Sequence, residues 1–292
     1  MENICNTSWN NSYYYSYDYS NVTYDYYSDN EKTGFIVFVV TCIIICICLP
    51  LTLMAIFALF SLVQNDHVAP IYVINLLISD LIQLCSTIFW LARPEDWQIY
   101  NIVYIYFFGV MASAFFMVCV ALERYLVIVF PLWYRFRRTV KTSVLVCVMV
   151  WAIPLVYLLP SYFCINLKVT EVIAAILLLL PLPLFIFFLS GTLKALSASI
   201  SVPSNEKRRI VGMLVLVLLI YAVLFLPSIM WSLVAGARSN NILSNLSFVF
   251  LRLSPLADLV LYIFMRKGTI DKVLASVCCC TMDDNGVSSP TT

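Results

Sequence analysis

"SNLSFVFLRLSPLADLVLYIF", Ser244 to Phe264, is apolar enough to lie in hydrocarbon, yet it carries Arg252, Pro255 and Asp258. About 20 apolar residues is the length at which a helix crosses a bilayer. A charge at the centre of such a helix costs about 2.5–3.5 kcal/mol on insertion scales, so Arg252 and Asp258 must face a bundle interior or water. This one stretch therefore predicts a helical membrane protein in which other helices shelter its charges. The composition agrees: of 292 residues 62% are hydrophobic and only 11% charged, with a mean hydropathy of +0.94. A water-soluble domain of this length does not tolerate such a surface.

Working outward, six further windows of that length lie between polar clusters, giving seven expected spans: Gly34–Leu62, Ile71–Leu91, Ile99–Ile128, Val140–Leu159, Val172–Leu196, Ile210–Ala235 and Ile242–Phe264. An odd number puts the termini on opposite faces. Lys and Arg gather between the third and fourth spans (Arg135, Arg137, Arg138, Lys141), between the fifth and sixth (Lys194, Lys207, Arg208, Arg209) and after the seventh (Arg266, Lys267, Lys272). The other side has Lys32, Arg93, Lys168 and Arg238. Basic residues stay cytosolic, so the amino terminus is expected outside and the carboxyl terminus in the cytosol. The first 30 residues are polar and the first apolar run is too long for a signal-peptide core, so the first span is expected to direct insertion itself.

The chain is thus expected to be an all-α membrane protein, a seven-transmembrane helix bundle over residues 34–265, with an outer tail over 1–33 and a short amphipathic helix and tail over 266–292. Asn6, Asn10 and Asn21 each begin an Asn-x-Ser/Thr glycosylation acceptor in the outer tail. "YYYSYDYSNVTYDYY" (13–27) sets tyrosines beside Asp18 and Asp25. That pattern reads either as a solvated, disordered tail or as a sulfation substrate at Tyr17, Tyr19, Tyr24 or Tyr26, an anionic arm suited to a basic ligand. Most of the eleven cysteines fall inside apolar spans, where thiols pack as small side chains; Cys5 and Cys164 lie outside and could pair. Cys278, Cys279 and Cys280 close the basic amphipathic stretch "MRKGTIDKVLASV", which suits palmitoylation at a membrane surface.

Asp80 sits mid-span in "NLLISDLIQL" near Asn75 and Ser79, and Asp258 has Ser254 one turn away on its own face. Facing carboxylates repel unless a cation or proton lies between them, so a small polar pocket is expected.

At the cytosolic end of the third span stands "ALERYLVIVFPLWYR" (121–135), where Glu123, Arg124 and Tyr125 precede a proline loop. With "NLLISD", Ser113, Trp151, Pro183, Pro227 and "DLVLY" (258–262) in order along the chain, it resembles the rhodopsin-like (class A) G-protein-coupled receptors. "CLPLTLMAIFALF" and "HVAPIYVINLLISD" are similar to the branch holding lysophospholipid, nucleotide and proton-sensing receptors. The resemblance implies a plasma-membrane receptor that binds an extracellular ligand and activates a heterotrimeric G protein. It further implies that Arg124, held by Glu123 at rest, is released on activation, with Leu132 as an apolar plug and Tyr262 swinging inward. Asp80 and Ser113 would match positions of a sodium pocket, lined from the seventh span by Ser254 and Asp258. Apart from that possible sodium ion, no cofactor is expected.

The departures from the family pattern have consequences. The position of the usual cysteine at the top of the third span falls near Ile99, so the customary disulfide to Cys164 cannot form. Thr52 stands for an asparagine, Phe225 for the tryptophan before Pro227, Leu259 for a proline and Gly191 for a tyrosine; Lys207 replaces an acid that latches Arg124 in relatives. Weak or constitutive signalling is the alternative these changes raise.

Arg252 lies almost two turns from Asp258, in the outer half of its span, which in the family is the height of the ligand pocket. A guanidinium there favours a carboxylate, phosphate or sulfate. Trp90, Arg93, Tyr106, Phe107 and Val110 are candidate walls, and an amphiphilic anion such as a lysophospholipid or fatty acid is the expected ligand, with a basic peptide as the alternative suggested by the acidic tail. The single histidine, His67, falls in the first cytosolic loop, which argues against a histidine-based acid sensor. An intramembrane aspartyl protease also uses two buried carboxylates, but neither aspartate has glycine beside it. A transporter would show repeated, interrupted helices. No metal, nucleotide or nucleic-acid motif occurs, so no enzyme activity and no nucleic-acid partner are expected. Membrane lipids are.

Overall fold

The computed structural model describes residues 31–64, 71–92, 96–130, 132, 134, 140–163, 167–198, 204–233 and 241–265. The glycosylation asparagines Asn6, Asn10 and Asn21, the tyrosine-rich tail, Cys5, Cys164, Arg93, His67, and the expected amphipathic helix with Cys278, Cys279 and Cys280 lie outside them.

The described residues form helices only: α1 (Glu31–Gln64), α2 (Ile71–Leu91), α3 (Asp96–Val129), α4 (Val140–Phe163), α5 (Leu167–Leu179), α6 (Pro181–Ala198), α7 (Ser204–Leu233), α8 (Asn241–Arg252) and α9 (Ser254–Met265). Six spans are long and apolar enough to cross a membrane, the fifth being α5 and α6 together, and the bent pair α8 and α9 makes a seventh. The second runs over Ile71–Leu91, as the sequence predicts, and the others agree with their expected windows at nearly every end.

Within the bundle the third span is the axis, with 78% of it buried against 28% of the first and 22% of the fourth. Its closest neighbour is the second span, and Gly109 explains the closeness. A Cβ at that position would meet Gln83 Cγ at 2.8 Å and the Ser79 carbonyl oxygen at 3.0 Å. Across the other face of the second span, Asn75 accepts a hydrogen bond from Trp151 Nε1 (3.0 Å) and donates to the Ile71 carbonyl (2.9 Å) and to Cys147 Sγ (3.4 Å). Hydroxyls on the inner faces turn back on their own helices: Thr41 to Val37, Ser79 to Leu76, Ser86 to Ile82 and Thr87 to Gln83. In hydrocarbon there is no water to take these donors, so the nearest free lone pair of a helical carbonyl does.

Both broken spans are broken by proline. Pro181 and Pro183 lack the N–H that continues a helical ladder, and α5 gives way to α6 at Leu180. Tyr221 of α7 donates its hydroxyl to the Leu178 carbonyl at this break. In the seventh span Pro255 removes another donor and disfavours helical geometry at the residue before it. Leu246–Arg252 and Ser254–Met265 diverge there by 41°, while Leu253 N–H still reaches Val249 and Ala257 N–H reaches Leu253. The bend sends the two halves to different neighbours: α8 packs on α7, and α9 packs on α1, α2 and α7.

Candidate functional site

Three groups of polar side chains lie in sequence down the interior, beginning at the end of the bundle where α1 begins.

The first is built around Arg252, at the last turn of α8. Its position at a helix C-terminus, where partial negative charge collects, suits a cation. The guanidinium Nη1 donates to Thr41 Oγ1 at 3.0 Å, and its carbon lies 5.0 Å from the centre of the Trp90 ring. Among the described residues no carboxylate pairs with it. Thr41, Ile44, Ile45, Gln83, Leu84, Thr87, Tyr106 and Pro255 surround it and enclose a crevice of about 10 Å³, room for about one water. Tyr106 is 5% exposed and Gln83 1%, and both the Tyr106 hydroxyl and Gln83 Oε1 lack a hydrogen-bond partner. Of the walls expected from sequence, Tyr106 lines the crevice and Trp90 lies against the Arg252 guanidinium without lining it. Phe107 meets Tyr106 edge-on at 5.8 Å but does not line the crevice. Val110 does not either: it is fully buried in the core, one turn deeper than Tyr106.

The second group is the carboxylate pair. Asp80 and Asp258 are both fully buried and close enough to interact with each other. Ser113 donates to Asp258 Oδ2 at 2.9 Å, and Gln83 Nε2 reaches Asp80 Oδ1 at 3.5 Å. One oxygen of each carboxylate, together with the Ser254 hydroxyl, lacks a hydrogen-bond partner. Three buried oxygens without donors, two of them from carboxylates, are the donor set of a small hard cation, so the four residues expected to line a sodium pocket fit one.

The third group lies at the opposite end. Tyr134 donates to Glu123 Oε1 at 2.8 Å. Glu123 and Arg124, adjacent on the helix, point about 100° apart, and the Glu123 carboxylate takes the Tyr134 hydroxyl. Arg124 Nε is buried without a hydrogen bond. Tyr125 lies flat over Gly191, where a Cβ would meet its Cε2 at 2.6 Å, and its ring contacts Phe187, Phe188 and Phe130. Leu132 is 73% exposed. Tyr262 packs beside α1 and α2 residues. Arg209, at the base of α7, donates through Nη2 to the Met265 carbonyl at 3.0 Å. Higher in the same helix, Phe225 is fully buried and stacks on Tyr221 at 4.5 Å, with Pro227 two residues beyond.

Sequence reasoning missed Thr41, Gln83, Gly109, Arg209, Tyr134 and Tyr221. Thr41 and Gln83 carried a signal, being polar residues inside apolar runs.

Among the described residues, up to seven candidate spans pack around a largely buried third one, with buried charges at three levels. The family described as "7 transmembrane receptor (rhodopsin family)" matches residues 53–172. G-protein coupled receptor 68 of Mus musculus is 25% identical over 248 residues, covering 68% of this chain and 65% of its own length. Its Homo sapiens counterpart is 30% identical over 116 residues, 35% of this chain and 29% of that one, and C-C chemokine receptor type 1 of Homo sapiens is 28% identical over 104 residues, 33% and 29%. The chain thus spans about two thirds of the length of the first of these relatives and about three tenths of the other two. The chain is similar to rhodopsin-family receptors, G-protein coupled receptor 68 among them.

Proposed function

We propose that this chain is a plasma-membrane receptor with its amino terminus outside, which binds an anionic extracellular ligand at Arg252 and activates a heterotrimeric G protein at the Arg124 end. The observation that carries the reading is a guanidinium within the bundle whose partners, Thr41 and Trp90, are both uncharged. A ligand carboxylate, phosphate or sulfate supplies the missing charge and replaces a neutral contact by a bidentate one. Because the crevice holds little more than a water, binding requires Arg252 to leave Thr41 or Trp90, and that displacement is the local event the ligand drives. A sodium ion at Asp80, Ser113, Ser254 and Asp258 would favour the resting arrangement, since it lets two buried carboxylates stay together.

The test is nucleotide exchange on a G protein, without agonist, comparing the intact chain with Arg124→Ala in membranes. Exchange that falls with the substitution supports coupling through Arg124; equal exchange at every receptor density overturns it. A second reading, high basal signalling, is favoured by Lys207 in the place of an acid; it expects exchange above the receptor-free background before any ligand is added. Glycosylation at Asn6, Asn10 and Asn21 and palmitoylation at Cys278, Cys279 and Cys280 belong to the same proposal and are read by glycosidase shift and acyl labelling.

A further inference from the structure

Two residues of the third span flank Arg124, and each is fixed to a different neighbour. Successive residues turn by about 100° around a helix, so Glu123 and Tyr125 leave α3 on nearly opposite sides, with Arg124 between them. On one side the Glu123 carboxylate accepts the Tyr134 hydroxyl at 2.8 Å, from the segment that follows α3. On the other the Tyr125 ring crosses to α6. There Phe187 and Phe188, four and three residues before Gly191, share a face with it. The Tyr125 ring centre lies 5.8 Å from that of Phe187 and 5.4 Å from that of Phe188, and Phe130, just past the end of α3, meets it edge-on at 6.4 Å.

Gly191 is the notch that receives the ring. A Cβ there would lie 2.6 Å from Tyr125 Cε2 and 3.4 Å from its Cζ and its hydroxyl oxygen, so the ring fills the volume that any other side chain would take. The atoms in conflict belong to the Tyr125 side chain and not to either backbone. A side chain at 191 therefore expels the ring and need not part the helices, unlike one at 109, where the Ser79 carbonyl also stands in the way. The ring is half-buried, which leaves it a route outward. Between the two anchors sits Arg124, with Nε buried and without a hydrogen bond. A buried donor with no acceptor costs free energy, and helix ends fray. An unanchored end would relieve that cost by turning Arg124 toward water. Anchors about 200° apart around the axis oppose the turn.

Resting on the coupling at Arg124 proposed above, we propose that Tyr125, seated in the Gly191 notch, is a positioning residue: with the Glu123–Tyr134 bond it sets the rotation of the third span's end, and so the direction in which Arg124 meets the G protein. The aromatic ring does this and not the hydroxyl, because the contacts with Phe130, Phe187 and Phe188 are ring contacts and the atom deepest in the notch is a ring carbon.

The experiment uses the full chain in phosphatidylcholine nanodiscs and has three readouts. The first needs no G protein: Arg124→Cys is labelled with a membrane-impermeant thiol reagent, and the adduct at that position is quantified by peptide mapping, so the native cysteines do not contribute. Adding Gly191→Ala or Tyr125→Leu is expected to raise the labelling rate. Tyr125→Phe leaves it in place, as does Gly212→Ala, where nothing lies within 4 Å of a Cβ. An unchanged rate in Gly191→Ala overturns the proposal. The second readout is nucleotide exchange at saturating G protein. Gly191→Ala and Tyr125→Leu fall toward the level of Arg124→Ala, Tyr125→Phe keeps the parent rate, and Gly191→Ala adds no further loss to Tyr125→Leu, because the ring it would expel is already gone. Losses that multiply in the double variant overturn the notch as their common cause. Parent-level exchange in Arg124→Ala, with labelling that follows the ring, refutes the coupling reading and leaves the positioning of Arg124 standing; Arg124-dependent exchange that ignores Gly191→Ala does the reverse. The third readout is thermal unfolding, which reports on the fit itself. On the Tyr125→Leu chain, Gly191→Ala retains only the helix gain of alanine and raises the midpoint by about 1–4 °C. On the parent chain the rise is smaller or reversed, and an equal rise on both overturns the close fit.

Discussion

Replacing Gly109 by alanine tests the packing that sets every other distance in the interior. The new methyl would sit 2.8 Å from Gln83 Cγ and 3.0 Å from the Ser79 carbonyl oxygen, the first about 1 Å inside the 3.5–4.0 Å at which carbon contacts are favourable. Gln83 cannot swing away freely, being 1% exposed, and the Ser79 oxygen is backbone, so the second and third spans must part. Overpacking of this kind costs about 1–3 kcal/mol, against about 0.5–1 kcal/mol recovered by replacing glycine within a helix. Gly212 supplies the control: nothing lies within 4 Å of a Cβ there, so Gly212→Ala retains the helix gain alone. In thermal unfolding of the purified receptor, Gly109→Ala is expected to melt below the parent or at most level with it, and Gly212→Ala slightly above. With about 2–4 °C per kcal/mol for chains of this order of size, the two variants should differ by several degrees. If Gly109→Ala melts as high as Gly212→Ala, the close approach of the two spans is wrong.

Ser113→Ala removes a hydrogen bond to a buried carboxylate, a loss of about 1.5–3 kcal/mol, and leaves Asp258 with one donor fewer; the melting point should fall, and any stabilisation by sodium chloride over choline chloride should shrink with it. Trp151→Phe keeps most of the ring area but strips the donor from Asn75, so a cost of about 1–3 kcal/mol is expected from the buried carbonyl oxygen left without its partner, read as a lower melting point than that of an outward-facing control such as Val148→Ala. Arg209→Met removes the charge-assisted hydrogen bond from the base of α7 to the Met265 carbonyl. Agonist-free nucleotide exchange should rise; a fall would mean that Arg209 serves the G protein and not the resting state.

Nearly all of the fold was legible from the chain because a membrane span is a local property: about 20 apolar residues in a row announce themselves, as Ile71–Leu91 did. The carboxylate pair was legible for a related reason, since Asp80 and Asp258 in apolar runs have nowhere to go but inward. Trp90 and Tyr106 were found beside Arg252, but Val110 was not, although four residues from Tyr106 puts it on the same helical face. Which turn of that face borders the crevice is decided only by the tertiary packing. Thr41 lies 211 residues from Arg252 along the chain, and no local pattern couples two such positions. The Glu123–Arg124 latch was carried over from the family resemblance, and no local pattern announced the Tyr134 hydroxyl that Glu123 takes. Gly191 was noted as the loss of a tyrosine; that the vacancy receives the ring of Tyr125 from another helix follows only from the packing.

The bend at Pro255 makes the seventh span a lever with its fulcrum at Leu253. One arm, bearing Arg252, lies along the sixth span; the other, bearing Asp258, lies against the first, second and sixth. A tilt of the sixth span therefore loads both arms, and the proline sets how far the Arg252 arm can swing relative to the Asp258 arm. Substitutions on either side of a single proline thus act on two different arms of one span.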